Sequence, residues 1–388
     1  MNILKSRVAL LLPPKTPDAL QANPFWGLLY EDGTARMNFP LGNQCHGQIG
    51  ISFQDNEITI GQCAWKHGKY VHPATFHVNA KPNECSADDW RDFMNRAGVS
   101  GTECVIALPP SMARHFVLRL PSMEETEIKE AAAWEVADRL GIERSMLTLD
   151  AMPIGRGGDV LAVAIEHTTI SSLLDPLYAA GLQPTLVEPQ CVAVARTLSM
   201  LHRRQSDQAT VRSVFDFGAT DSAFMVLAGD GLVFYKHLDH SGEALIAAIS
   251  KHTGVTKEQA IGMLAGSKSC DETSSITRAV RDATRSTHES IATDAMKCLR
   301  HYGVTNRGPL SSQTIITGSA GWNQHLSTVL SSTCNQDVIP DFDVQHIQGL
   351  SKQITNTTGW QIALGASLAK INLNKQRRVS DYFGREAA

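Results

Sequence analysis

An aspartate, a glycine and a threonine fall at Asp216, Gly218 and Thr220, within the run FDFGAT. Val214 to Asp216 reads as a β-strand ending on a carboxylate, and Ser222 to Leu227 as the strand that leaves the turn. A turn of this kind offers backbone N–H groups and a hydroxyl to a phosphate, and its carboxylate is placed to hold a magnesium ion through water. An ordinary β-hairpin with Gly218 at its turn accounts for the same residues. The rest of the chain has to decide between the two.

A second stretch repeats the pattern. Ile49, Ile51 and Phe53 alternate, Gln54-Asp55-Asn56 makes a turn, and Ile58 and Ile60 resume the alternation. Laid over the first stretch, Ser52 falls on Asp216 and Gln54 on Gly218, apolar on apolar and turn on turn. A repeat at roughly 160 residues is too long for a solenoid and predicts a duplicated domain.

Two further motifs lie between and beyond the hairpins. The strand from Pro184 ends on Glu188 before Pro189, and Thr314 to Thr317 runs into Gly318-Ser319-Ala320-Gly321. A strand followed by a glycine-rich turn is a generic approach for an anion or nucleotide, so each motif is weak alone. Their order carries more. A two-domain cleft can use the hairpins as jaws around phosphates and the Gly318 to Gly321 loop against an adenosine. Asp216 and Glu188 then share the metal side, because both end strands that point into one crevice.

The elements that must position these residues follow from capping and periodicity. Ser86 can cap a helix carrying Trp90, Phe93 and Met94, and Cys104 to Leu108 reads as a strand closed by Pro109-Pro110. Ser122 is the expected N-cap of a long helix with Glu124, Glu125 and Glu127 in its first turns, where acidic residues favour the dipole. Its apolar face is Ile128, Ala132, Val136 and Leu140, with Trp134 on a neighbouring face as a candidate contact or a side-packed residue. The helix Cys191 to Leu201 is apolar on most sides and predicts burial between domains, and residues 202–212 read as a polar linker.

Composition limits the function classes. At 388 residues the chain exceeds a single ordinary core, and 43% hydrophobic with 19% charged residues is a globular balance. The net charge of -4 argues against a nucleic-acid partner or a polybasic membrane surface. Eight cysteines without CxxC or zinc spacing point to a reduced, cytoplasmic setting. The apolar run Val8 to Leu12 stops at Pro13-Pro14, far short of the ~20 residues of a span, so direct membrane insertion is not expected. A short strand at Trp26 to Tyr30 is the one element expected in the irregular extension 1–47.

FDFGAT resembles the second phosphate motif, and VEPQCVAVA the connecting-helix motif, of the superfamily that unites actin, sugar kinases and heat-shock chaperones. Residues 107–142 and 160–189, a strand, a long acidic helix, a strand, a helix, AGL and VEP, are similar to the PilM family of type IV pilus assembly and more distantly to FtsA. The similarity covers roughly residues 48–370. It implies an α/β, actin-like, ribonuclease H-like duplicated fold of two domains with an inserted subdomain of the FtsA and PilM type. The implied division is 48–101 with 181–207 and 355–388 as the first domain, 102–180 as the insertion and 208–354 as the second domain. By position the resemblance implies ATP with magnesium: Asp216 and Glu188 at the metal, Gly218, Ala219 and Thr220 at phosphate, and Gly318, Ser319, Ala320 and Gly321 at adenosine. It also puts Asp294 and Lys297 near the nucleotide, although Lys297 reads equally as a solvated helix residue.

The first jaw, Ser52, Gln54 and Asn56, departs from the motif. Where the family has Asp and then Gly, Ser52 removes a carboxylate, Gln54 adds a Cβ where the backbone must close on a phosphate, and Asp55 adds a repelling charge. These changes argue against tight ATP binding and fast hydrolysis. The function the resemblance then implies is a scaffold of a pilus or related secretion assembly platform. Its implied partner is the N-terminal cytoplasmic peptide of a PilN-like inner-membrane protein, which would tether the chain to the inner membrane, with self-association a further option. The alternatives are an ATP-dependent small-molecule kinase and an FtsA-like filament protein. The first lacks an evident base, and the second lacks an evident amphipathic membrane helix in the tail.

Overall fold

The computed structural model describes residues 45–54, 56–66, 69–155, 158–199, 210–229, 231–267, 274–306, 309–311, 313–318, 324–339 and 359–369. The expected strand at Trp26 to Tyr30, Asp55 and most of the Gly318 to Gly321 loop lie outside the described residues.

In chain order the elements are β1 (Cys45–His46), β2 (Ile49–Phe53), β3 (Ile58–Lys66), β4 (Lys69–Val78), α1 (Ala87–Ala97), β5 (Glu103–Leu108), β6 (Arg114–Arg119) and α2 (Glu125–Leu140). Next come β7 (Leu147–Ile154), β8 (Asp159–Glu166), α3 (His167–Ala179), β9 (Gln183–Pro189), α4 (Gln190–Ser199), β10 (Val211–Phe217), β11 (Ser222–Ala228) and β12 (Gly231–Leu238). The chain continues through α5 (Gly242–Thr253), α6 (Lys257–Ser267), α7 (Ser275–Asn306), β13 (Gln313–Thr317), α8 (Gln324–Cys334), β14 (Asp337–Ile339) and α9 (Trp360–Ser367).

The duplication is written in the strand order. The first sheet runs β4-β3-β2-β5-β9, with β1 also on β3, and the second runs β12-β11-β10-β13-β14. In each, the first strand of the repeat pairs antiparallel with its hairpin partner and parallel with the strand on its other side: β2 with β3 and β5, β10 with β11 and β13. This is the duplicated, actin-like α/β fold. The central strands are apolar on both faces, as sheets covered on both sides require.

Between the two halves of the first repeat stands a third sheet, β6-β8-β7, with α2 against it. β5 pairs in parallel with β2 and β9, so residues 103–108 form a middle strand of the first sheet and the third sheet begins only at Arg114. That is later than the expected boundary at 102. The third sheet has two apolar faces. Leu118, Val160, Ala162 and Ala164 pack under Ile128, Ala132 and Val136 of α2, while Met152, Ile154, Leu161, Val163 and Ile165 join the main core.

The caps follow local chemistry. Ser86 and Asp89 exchange N–H bonds at 2.8 and 3.3 Å at the start of α1. The start of α2 corrects the sequence expectation: the cap is Glu124, not Ser122, and the Glu124 N–H donates to the Glu127 carboxylate at 3.0 Å.

The repeats are joined by their last helices. α9 follows the second repeat yet packs on β2 and β3 of the first sheet and crosses α4. A Cβ at Gly365 would overlap the Ala193 carbonyl oxygen, so the crossing is as close as two backbones allow. The main core accordingly runs without a break from Ile51 and Val105 through Val194 and Leu364 to Val214, Met225 and Tyr235. Among the described residues no helix is long and apolar enough to cross a membrane.

Candidate functional site

The two hairpin turns are geometric equivalents. The Gly218 N–H donates to the Asp221 carbonyl and the Gln54 N–H to the Glu57 carbonyl, each at 2.9 Å. The flanking pairs are Phe217 with Ser222 and Phe53 with Ile58, so Ser52 does stand in the place of Asp216 and Gln54 in the place of Gly218.

The second-domain turn is built around a carboxylate. Asp216 is half-buried at the end of β10, and the Thr317 hydroxyl, from the neighbouring end of β13, donates to its Oδ1 at 3.0 Å. Burial raises its pKa from 3.8 to about 6, against the lowering effect of the Thr317 bond and with a further rise from Asp221. A Cβ at Gly218 would stand 2.6 Å from the Asp221 carbonyl oxygen, so this turn is drawn tighter than the first and leaves no room for the side chain that Gln54 carries there. Behind the turn, the first amides of α5 are used internally: Gly242 donates to the Gly218 carbonyl at 3.0 Å and Glu243 to the Ala219 carbonyl at 2.9 Å. Ala219 and Thr220 are exposed.

Gly318, with φ +100, lies against the backbone of Phe217, which brings the end of β13 to the Gly218 turn. Ser319, Ala320 and Gly321 lie outside the described residues. Asp294 on α7 accepts from Lys297 at 2.8 Å and meets His240 at 3.0 Å. The Lys297 bond holds its carboxyl below the usual range, burial opposes this, and His240 adds to the lowering. Lys297 itself is mostly exposed, at the surface end of this trio.

The first-domain side is different in chemistry. The Ser52 hydroxyl is fully buried and has no hydrogen-bond partner among the described residues. A Cβ built on Gly359, just before α9, would stand 3.2 Å from Thr59 Oγ1 and 3.6 Å from both Ser52 Oγ and Gln54 Nε2, so these polar groups gather on the start of α9. Asn56 is exposed at the tip. Glu188 is 2% exposed, and both of its oxygens are taken by Arg196, Nη1 to Oε1 at 2.6 Å and Nη2 to Oε2 at 2.7 Å. Asp216 and Glu188 are both within electrostatic reach of the Cys191 thiol, whose pKa is pushed up first by burial and then by these charges. Among the described residues no three His, Cys, Asp or Glu side chains converge as a metal set.

Tested against a magnesium-bound phosphate group, the halves disagree. The second-domain half fits: an acidic group at Asp216, a turn closed to any side chain at Gly218 and a hydroxyl at Thr220. The first-domain half offers a hydroxyl where a carboxylate would stand, a side chain at Gln54, and a Glu188 whose charge is already balanced.

Three site residues were not legible as such. Arg196 reads as an ordinary polar residue on an apolar helix, and nothing in its spacing from Glu188 marks the pair. Gln190 donates to the Phe53 carbonyl at 2.7 Å and ties α4 to the first turn. Thr317, the last residue before the glycine loop, carries no signal beyond its position.

No family model matches the chain, and no curated protein matches its sequence. Solved structures do match. The chain in a PilM–PilN type IV pilus biogenesis complex aligns with a TM-score of 0.66 at 18% identity, over 83% of this chain and 98% of that one. The ethanolamine utilization protein EutJ from Carboxydothermus hydrogenoformans aligns at 0.49 and 13%, over 84% and 92%. The cytoplasmic domain of EpsL, an inner-membrane component of the Vibrio cholerae type II secretion system, aligns at 0.39 and 11%, over 79% and 92%. The first of these shows the fold, and it agrees with the resemblance to the PilM family seen in the sequence.

Proposed function

We propose that this chain is an actin-like scaffold of a type IV pilus or related secretion assembly platform, with nucleotide binding weak or vestigial. The observation that carries the reading is the inequality of two otherwise equivalent turns. Asp216 and Gly218 retain a phosphate turn, while Ser52, Gln54 and the paired Glu188 do not complete the opposite jaw. A fold that has given up half of a nucleotide clamp is better suited to holding a partner than to turnover.

The partner is the N-terminal cytoplasmic peptide of a PilN-like inner-membrane protein, seated between the first domain and the inserted sheet. The likeness to a chain solved as a PilM–PilN complex, over nearly all of that chain, supports this choice. An extended peptide can bind there by side-chain pockets and strand addition, without catalysis. Such a contact also brings a chain with no spanning helix among its described residues to the inner face of the membrane. Residual nucleotide contact falls to Asp216, Gly218, Ala219 and Thr220, with Gly318 and the Asp294–Lys297 pair on the adenosine side, while Glu188 serves the α4–α9 joint.

The test is co-expression with a PilN-like membrane protein, in parallel with an ATP hydrolysis assay. Co-purification that is lost when the partner's cytoplasmic N-terminus is deleted, with hydrolysis at background, is the expected result. Steady ATP turnover with no retained partner would overturn the reading.

A further inference from the structure

The β7 edge of the inserted sheet is guarded along its length except at Leu149. Among the described residues β7 pairs with β8 alone, so its other side is an open strand edge. Backbone groups two residues apart on a strand point to the same side. In the outward series the Leu147 N–H donates to the Arg144 carbonyl and the Ala151 N–H to Asp150 Oδ1 at 2.9 Å, while Pro153 has no N–H to offer. Leu149 alone in this series keeps its N–H for a partner. Side chains and proline that close an edge are how a sheet resists added strands, so the gap marks where one is admitted.

The gap opens beside a crevice and a pair of recognition side chains. Leu147 and Leu149 line a crevice of about 190 Å³ with Arg144 and with Lys129, Glu130 and Ala133 of α2. The Arg144 guanidinium stands 5.5 Å from the centre of the Trp134 ring, and Trp134 is 65% and Met146 48% exposed. Tryptophan and arginine are the types that dominate binding energy at interfaces, and the ring steadies the guanidinium without neutralising it. Lys129 is already paired with Asp150 at 2.9 Å and Arg139 with Glu135 at 2.8 Å, whereas Arg144 has no carboxylate within ion-pair distance among the described residues. Glu130, the one carboxylate of the lining, stands a helical turn before Trp134. α2 covers the face of the inserted sheet opposite the one that joins the main core, so this surface is apart from the seat proposed for the PilN-like peptide.

We propose that the β7 edge at Leu149 is a second docking site, which takes an extended segment of a protein partner with a carboxylate and an aliphatic side chain two residues apart. A residue paired with Leu149 puts its side chain on the same face as Leu149, over the crevice, and so do the residues two places to either side of it. The aliphatic side chain therefore enters the crevice beneath α2, and the carboxylate on the Leu147 side reaches Arg144. The added strand supplies the backbone bonds, the crevice and Arg144 the selectivity.

Fluorine NMR on the full chain labelled with fluorotryptophan tests this, the Trp134 signal being assigned with Trp134→Phe. The probe is the acetylated and amidated peptide Thr-Asp-Thr-Val-Thr, beside one copy with Asn for its Asp and one methylated on the valine nitrogen. The expected result is a saturable shift of the Trp134 signal, unaffected by saturating PilN-like peptide. Its affinity should fall about threefold or more with the Asn peptide or in Arg144→Gln, which alters an exposed side chain, and about tenfold or more with the methylated peptide. No shift, or the same shift with all three peptides, as plain contact with an exposed indole gives, would overturn the proposal. So would displacement by the PilN-like peptide, which would make the two seats one, or a Trp134 signal that moves with protein concentration alone, which would put a second copy of the chain on this face.

Discussion

Arg196 holds both carboxylate oxygens of Glu188 inside the protein, and the Nη1 that reaches Oε1 also donates to the Gly365 carbonyl at 2.7 Å. One guanidinium therefore ties the end of β9 to α4 and α4 to α9, the helix that returns from the second repeat. The carboxylate that ends β9 helps to hold the two repeats together where α4 meets α9.

Breaking this pair should be expensive. Arg196→Met leaves Glu188 charged, buried and alone, and should lower the stability by about 3–5 kcal/mol in urea titrations. Adding Glu188→Gln should recover part of the loss, since the uncompensated charge is then gone. Equal losses in the single and double variants would mean that packing, not charge, sets the cost.

Two glycines in helices should respond in opposite directions. Gly365→Ala forces a methyl into the Ala193 carbonyl where α9 crosses α4, and should cost about 3 kcal/mol or more. Gly262→Ala, in α6, meets nothing within 4 Å and should stabilise by about 0.5–1 kcal/mol through helix propensity. Thermal unfolding of both variants checks the pair.

Asp216 should leave a mark on the pH dependence of stability. Its folded pKa of about 6 lies above the ordinary 3.8, so between these values the folded chain keeps a proton that the unfolded chain has released. Its contribution is then most favourable below pH 4, falls as the pH rises through the window, and is constant above about 6. The stability of the native protein minus that of Asp216→Asn should drop by about 2 kcal/mol from pH 4 to pH 7. A flat difference would contradict the burial of this carboxyl.

Restoring the first jaw should restore nucleotide affinity. Gln54→Gly together with Ser52→Asp returns a side-chain-free turn and a carboxylate to the position that mirrors Asp216. Mg·ADPNP should bind at least about tenfold more tightly to this variant than to the native chain by calorimetry. Unchanged affinity would show that the altered first turn is not what limits binding.

The parts of the fold governed by local periodicity were legible. Alternation in Ile49 to Ile60 and the strand-turn-strand pattern of Val214 to Leu227, laid one over the other, pointed to the duplication that the strand orders display. The boundary of the insertion was not, because the prolines after Leu108 end a strand without saying which sheet it joins; the unbroken apolar run Cys104 to Leu108, buried on both faces in the structure, is the sign of a central strand. The start of α2 was misread for a related reason: a Glu cap competes with a nearby serine, and only the Glu127 side chain decides it. At the site, glycines and the acidic strand end were visible from residue type alone. Glu188 was not interpretable without Arg196 and Gly365, the latter 169 residues from its donor, since a carboxylate looks the same in sequence whether it faces a metal or a guanidinium.

The most direct test of the scaffold account is a calorimetric titration of the partner's N-terminal cytoplasmic peptide into the full-length protein, with and without Mg·ATP. The account predicts saturable one-to-one binding that persists in the absence of nucleotide. Peptide that fails to bind in either condition, while Mg·ATP binds tightly and is turned over, would contradict it.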